Sequence, residues 1–221
     1  QDRVPLDWAM AQNNLGNVYQ SLAYREPANA TTHLRAAVES QTAAIEATSR
    51  AEQPLQWAAF VFNRGRTYHM LGDFASTEQE AIATYGKSAA DFEAALGEMT
   101  LDRVPQQWVG ARLSLANVLQ AQSMREADDD AATETLKKAL IVFNGSLDRL
   151  DADRFPNERA NTLQYLANAY ILLGDRGGGV DRYREAETVY RELMAMRSRE
   201  AGPVEWAYAA GGLGNALRAI G

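Results

Sequence analysis

The sequence has no cysteine, and only two histidines and six prolines among its 221 residues. The absence of cysteine excludes disulfides, zinc sites with cysteine ligands and thiol catalysis, and it leaves the redox compartment open. No apolar run approaches the roughly 20 residues that a helix needs to span a bilayer. The 22 basic and 29 acidic residues give a net charge of −7, which does not favour nucleic acid or an anionic membrane as a partner.

The few prolines mark an internal repeat. Five of the six follow one another at intervals of 49, 51, 51 and 47 residues: Pro5, Pro54, Pro105, Pro156 and Pro203. All four tryptophans lie three residues after one of these prolines, and Arg159 takes that position in the fourth repeat. Because proline at the first position of a helix loses no hydrogen bond, each of the five is predicted to begin a helix.

Each predicted first helix carries a small residue eight positions after the tryptophan position. These residues are Gly16, Gly65, Ala116, Ala167 and Gly214. Since glycine inside a helix costs about 1 kcal/mol relative to alanine, its recurrence predicts that another helix packs too closely there for a side chain. Arg64 stands where the other copies have leucine. We expect it to reach solvent past the core, and a buried pair with an acidic residue is the alternative.

A second helix is predicted after each of the first four. In the first repeat its apolar face holds Leu34, Ala37, Val38, Ala44 and Ile45, at steps of three and four, and the next three repeats show the same steps. The chain is therefore predicted to be a single domain over 1–221, with repeats at about 4–52, 53–103, 104–154 and 155–201 and a half-repeat at 202–221. The half-repeat is as apolar as the internal copies, so we expect a fragment of a longer array rather than a capped end.

Five segments in phase carry a family resemblance. They read WAMAQNNLGNVY, WAAFVFNRGRTY, WVGARLSLANVL, ERANTLQYLANAY and WAYAAGGLGNAL. Together with the second helices they resemble the tetratricopeptide repeat, whose usual unit is about 34 residues, whereas this unit is near fifty, as in extended repeats of large bacterial proteins. The resemblance implies an all-α, right-handed α-solenoid of antiparallel helix pairs, four pairs plus one extra helix. It also implies a concave groove, lined by the first helices, that binds a protein or peptide.

Carried onto this chain, the groove has a recurring position just after the small residue. It holds Asn17, Arg66, Asn117, Asn168 and Asn215. A side-chain amide offers a donor and an acceptor, so a ladder of amides suits an extended peptide of arbitrary sequence. The alternative is that these asparagines bond a neighbouring helix. The positions one turn earlier or three residues later complete the predicted groove: Asn13, Phe62, His69, Leu113, Gln164 and Arg218.

Charge in the predicted groove is limited to Arg66 and Arg218, which would pair with a carboxylate. The family's clamp of lysines and arginines for chaperone C-termini is absent, so chaperone binding is not predicted. Neither histidine sits in a metal-ligand pattern, and no spacing suggests a catalytic set, so no metal, cofactor or catalytic residue is predicted.

The sequence thus predicts a non-enzymatic, cytoplasmic scaffold or sensor module that binds a protein or peptide, with neither nucleic acid nor membrane as partner. Two alternatives stay open. One is a regulatory segment of a larger multidomain enzyme. The other is a self-assembly module, a homo-oligomer formed through the exposed end of the stack with the apolar last helix as its edge.

Overall fold

The computed structural model of the chain describes residues 3–196, 199–200 and 202–221, with residues 3–5 described by their backbone. Across these residues the chain forms nine α-helices and no strand, which confirms the all-α prediction. The chain divides into two compact units, 1–127 and 128–221. The single-domain boundary and the repeat limits stay predictions, and the predicted end of the fourth repeat at residue 201 lies outside the described residues.

The first unit contains five helices in which each packs on the next. They are α1 (Arg3–Arg25), α2 (Ala30–Glu46), α3 (Pro54–Asp73), α4 (Glu78–Leu96) and α5 (Pro105–Arg125), with a 3₁₀ turn at Pro27–Asn29. Ala9 near the start of α1 shares a buried cluster with Ala44 near the end of α2, whereas Ala23 shares one with Ala30. The two helices are therefore antiparallel, as predicted for a repeat pair.

The second unit contains four helices, again packed in consecutive order. They are α6 (Asp129–Leu147), α7 (Pro156–Leu173), α8 (Val180–Met196) and α9 (Pro203–Ile220). A single π turn, Gly174–Gly178, continues α7. Gly177 within this turn and Gly179 just after it have φ of 86° and 79°, a left-handed backbone that glycine adopts without the steric cost of a side chain.

Proline marks the helix starts as predicted in four of the five cases. Helices α3, α5, α7 and α9 begin at Pro54, Pro105, Pro156 and Pro203. The prediction is wrong for Pro5, because α1 begins two residues earlier at Arg3. A proline inside the first turn is tolerated, since the first four N–H groups of a helix have no intrahelical partner.

Similar side-chain contacts bridge the connection between the two helices of three pairs. In the first unit, His33 of α2 contacts the carboxylate of Glu26 at 2.8 Å, and the hydroxyl of Tyr85 in α4 donates to Asp73 at 2.7 Å. In the second unit, the hydroxyl of Tyr183 donates to Asp175 at 2.8 Å. Each bond ties the N-terminal half of a second helix back to the C-terminal end of its first helix or to the turn that follows it.

A buried polar network joins α1, α2 and α3. The Thr67 hydroxyl accepts a hydrogen bond from the Gln20 amide and donates one to Gln41 Oε1, both at 2.6 Å. The amide of Asn63 donates to Asn13 Oδ1 at 2.9 Å. Because buried polar groups are stable only when paired, these bonds specify how the three helices align.

Arg64 forms an ion pair, the alternative left open above. Its Nε and Nη2 each lie 2.8 Å from a carboxylate oxygen of Asp91 in α4, and its Nη1 donates to Thr42 at 3.3 Å. The expectation that Arg64 simply reaches solvent is wrong, since Asp91 supplies a bidentate acceptor at the helix interface.

Of the helices in the described part of the chain, none combines the length and the apolarity that crossing a bilayer requires.

Close helix approach at the small residues is confirmed in the first unit. A Cβ on Gly16 would lie 2.6 Å from Gln41 Cγ, and one on Gly65 would lie 2.9 Å from the Phe92 ring. The expectation is wrong for Gly214, where a Cβ would meet nothing within 4 Å. In α9 the close approach falls at Gly212, which lies against the Tyr190 ring.

This difference gives a matched pair of substitutions on one helix. Gly214→Ala should raise the free energy of unfolding by about 0.5–1 kcal/mol, because alanine is the better helix former and has open space. Gly212→Ala should lower it, because the new methyl group would collide with the Tyr190 ring. Denaturant unfolding of the two variants beside the parent chain measures both. Equal shifts of the same sign would contradict the described packing of α8 on α9.

Candidate functional site

One face of α3 carries three of the predicted groove residues. Phe62, Arg66 and His69 follow one another at steps of four and three, so they lie on the same side of the helix. Asp73 continues the stripe one turn later. Both α1 and α5 contact α3 directly, so first helices flank one another within the first unit, as the groove prediction requires.

The structure brings Arg66, His69 and Asn117 together around one cavity of about 220 Å³. Residues of four helices complete its lining: Tyr24, Met70, Asp73, Phe92 and Ser114. The sequence analysis predicted none of these five as site residues. Asp73 could have been found from its step of four after His69, whereas Tyr24 and Ser114 depend on how the helices pack.

Asn117 has an unpaired acceptor. Its Oδ1 is buried and has no hydrogen-bond partner among the described residues. A buried polar atom without a partner costs about 1–3 kcal/mol. Arg66, which is exposed, also has no acidic partner within the described residues. A bound group that carries both an N–H and an acceptor would satisfy the two side chains together.

His69 is neutral in this setting. Burial lowers its pKa, and the charge of Asp73 opposes that shift without overcoming it. The His69 ring meets the Tyr85 ring edge-on, with centroids 5.7 Å apart. Burial, and then the hydrogen bond to Asp73, raises the pKa of Tyr85. The cavity therefore combines one fixed cation, one neutral imidazole and one carboxylate that already accepts a hydrogen bond.

A second cavity, of about 370 Å³, lies farther along the same face of α3. It is lined by uncharged side chains and one glycine: Ala59, Phe62, Asn63, Met99, Gln106, Gln107 and Gly110. Phe62 is held by the Phe92 ring, with centroids 5.4 Å apart. The sequence analysis named Phe62 but missed Gln106 and Gln107, which lie one turn before Gly110.

The remaining predicted residues of the first unit differ in whether their side chains already bond to other residues of the chain. Asn13 is buried, and its Oδ1 is occupied by Asn63. Asn17 is half-buried with its side-chain amide unengaged by described residues, and Leu113 is half-buried in α5. Only Asn17 therefore adds a free amide to the one at Asn117.

In the second unit the predicted asparagines are engaged within the chain. Asn168 Oδ1 accepts from the Tyr190 hydroxyl at 2.6 Å, and Asn215 Oδ1 accepts from Arg218 Nη2 at 2.6 Å. Gln164 is half-buried. The reading of the asparagines as helix-to-helix contacts therefore describes Asn168, while Asn215 and Arg218 pair within one helix.

Comparison with family models and with curated proteins finds no match for the chain. The tetratricopeptide resemblance therefore rests on the sequence pattern alone and stays a prediction.

The burial of His69 predicts a pH dependence of stability. Below about pH 6.5, the ordinary pKa of histidine, His69 takes up a proton in the unfolded chain but not in the folded one. The free energy of unfolding should therefore decrease as pH falls from 7.5, by at most about 1.4 kcal/mol per pH unit from this group, and level off below the folded pKa. Denaturant unfolding at several pH values measures it.

The matched variant is His69→Gln, which removes the titrating group. Its free energy of unfolding, subtracted from that of the parent, isolates His69 from the carboxylates that titrate in the same range. A difference that stays constant between pH 7.5 and 5 would contradict a half-buried, neutral His69.

Proposed function

We propose that the chain is a right-handed solenoid of tetratricopeptide-like pairs that binds a protein or peptide and performs no catalysis. The proposed binding surface is the face of α3 that carries Phe62, Arg66, His69 and Asp73, together with Asn117 of α5. The observation that supports it best is the cavity in which the unpaired Oδ1 of Asn117 lies beside Arg66 and His69. Such a module serves as a scaffold or sensor.

The two cavities on this face favour an extended ligand. Both cavities lie along α3. One is lined by Ala59 near the start of the helix, and the other by Asp73 at its end. Fourteen residues of helix cover about 20 Å, which an extended peptide crosses in about six residues. A peptide lying along α3 would place uncharged side chains near Phe62 and a backbone amide near Asn117.

Fewer residues of the predicted amide ladder take part in the proposed site than the sequence predicts. Asn17, Arg66 and Asn117 have side chains that stay available to a ligand, whereas Asn13 and Asn168 are occupied by protein donors. Recognition through Asn117 would read the backbone of the ligand, because an amide pairs with a peptide N–H whatever the side chain.

A peptide selected from a random display library on the purified chain tests the proposal. Asn117→Ala should weaken its binding by about fivefold or more, the size expected for one buried hydrogen bond, and Arg66→Ala should weaken an acidic peptide further. Fluorescence polarisation measures the affinities, and circular dichroism checks that helicity is unchanged.

The control is Asn215→Ala, which removes an exposed asparagine from the same predicted ladder. Its binding should equal that of the parent chain. Unaltered affinity in both the Asn117 and Arg66 variants, with helicity retained, would refute binding at this cavity.

Self-association is a second candidate function, favoured by the exposed face of α9. Val204 and Tyr208, one turn apart on the same side of the helix, are 61% and 68% exposed, and the surface at Gly211 beside them is open. Large apolar side chains grouped on one helix are typical of protein contacts. The proposed occupant of this face is a second copy of the chain.

Sedimentation velocity across the micromolar range tests this second candidate. The parent chain should sediment faster as its concentration rises, and a Val204→Ser/Tyr208→Ser variant should not, because its edge buries less apolar surface. A parent chain that stays monomeric throughout would remove the candidate.

A further inference from the structure

We propose a second ligand site, between α2 and α4 and over the C-terminal half of α3, that binds a small carboxylate with an apolar body. It shares no lining residue with the cavity at Asn117, so it stands apart from the proposed peptide surface.

The site is the largest of the cavities described for the first unit, at about 460 Å³. Small-molecule sites commonly measure about 300–1,000 Å³. Its floor is Tyr68, Leu71 and Phe74 of α3 and its C-terminal end. Phe74 is 43% exposed, so an apolar ligand body would cover an aromatic ring that the fold itself leaves open.

The walls come from one face of each second helix. On α2 they are Thr31, Arg35, Val38 and Glu39, and on α4 they are Glu80, Ala83, Thr84 and Lys87. Positions three and four apart share a helix face, so both helices present continuous stripes toward the cavity. The lining is thus apolar at the floor and polar at the rim.

Two donors at the site have no acceptor. The Lys87 ammonium lies 5.7 Å from the centre of the Tyr68 ring, and within the described ranges no carboxylate pairs with it. The hydroxyl of Tyr68 likewise makes no hydrogen bond to any residue that the structure describes. The guanidinium on that ring, from Arg64 at 5.9 Å, is already committed to Asp91.

A carboxylate matches these donors better than other head groups. It accepts from an ammonium and a hydroxyl at once, and charge-assisted bonds of this kind are about twice as strong as neutral ones. An amine would leave both donors unpaired and would be repelled by Lys87. An alcohol would gain no charge-assisted bond.

The acidic residues at the rim do not oppose this assignment. Glu80 already accepts from the backbone N–H of Ser76 at 3.3 Å and lies 4.0 Å from Arg35. Glu39 is exposed and follows Arg35 by one helical turn, where the opposite charge offsets it. The four charged side chains of the lining, Arg35, Glu39, Glu80 and Lys87, sum to zero.

The third repeat offers a natural control. Residues 51 positions after Tyr68 and Lys87 are Leu119 and Lys138. The lysine recurs but the tyrosine does not, so the third repeat lacks the pair of donors. Lys138 is exposed on α6 and is not among the residues that line the proposed site, so its substitution removes the same charge without changing that lining.

Isothermal titration calorimetry with octanoate tests the proposal, with octylammonium and 1-octanol as probes of equal chain length. Octanoate should bind the parent chain saturably and more tightly than either. Lys87→Ala should weaken octanoate binding about tenfold, as expected for a lost bond to a charged group, and Tyr68→Phe by about threefold. Lys138→Ala and Asn117→Ala should leave it unchanged.

Three results would overturn the proposal. They are no saturable octanoate binding, equal affinity for octanoate and octanol, and unchanged octanoate affinity in both the Lys87 and Tyr68 variants at parental helicity. Because Asn117 does not line this site, loss of peptide binding in the Asn117 variant with octanoate binding retained separates the two proposals.

Discussion

The packing of first on second helices depends on places where a first helix carries no side chain. At Gly16, Gly65 and Gly72 a side chain of the paired second helix fills the space that a Cβ would occupy. The second unit repeats the device, with Tyr183 over Gly174 and Tyr190 over Gly212. Glycine weakens the helix that contains it, so the close approach must return more through packing than the backbone loses.

This approach determines which face of α3 remains for a ligand. The side of α3 with Gly65 and Gly72 packs against Phe92 and Tyr85. Another side packs through Thr67, which hydrogen-bonds to Gln20 and Gln41. The stripe from Phe62 to Asp73 is what the packing leaves. Two of its polar groups are also held by Tyr85, which donates a hydrogen bond to Asp73 and packs edge-on against His69.

Much of the fold follows from local chemistry that the sequence displays. Four prolines mark helix starts because their ring suits the first turn, and the apolar steps of three and four mark the buried faces of the second helices. The predicted start of α1 at Pro5 was wrong because the first turn of a helix accepts proline at more than one position. The prediction was wrong at Gly214 because the side chain of α8 that approaches α9 most closely, Tyr190, lies over Gly212 instead.

The site was less predictable, because residues of one type in one repeat position have different partners. Asn168 and Asn117 occupy equivalent places, yet Tyr190 donates to the first and no described residue pairs with the buried oxygen of the second. That difference depends on side chains from other helices, which the repeat pattern does not specify. The cavity over Tyr68 was missed for the same reason, since second helices of two repeats form its walls.

The repeat length also sets the range over which the chain contacts itself. The hydrogen bonds from Asn63 to Asn13 and from Arg125 to Ala75 join residues 50 apart, one period of the pattern. Loop-closure entropy therefore has to be overcome only over short spans, and the contact order of each unit is low. A chain of this kind lengthens or shortens by whole periods without new long-range contacts, so its size is set by how many copies a gene accumulates rather than by the closure of a core.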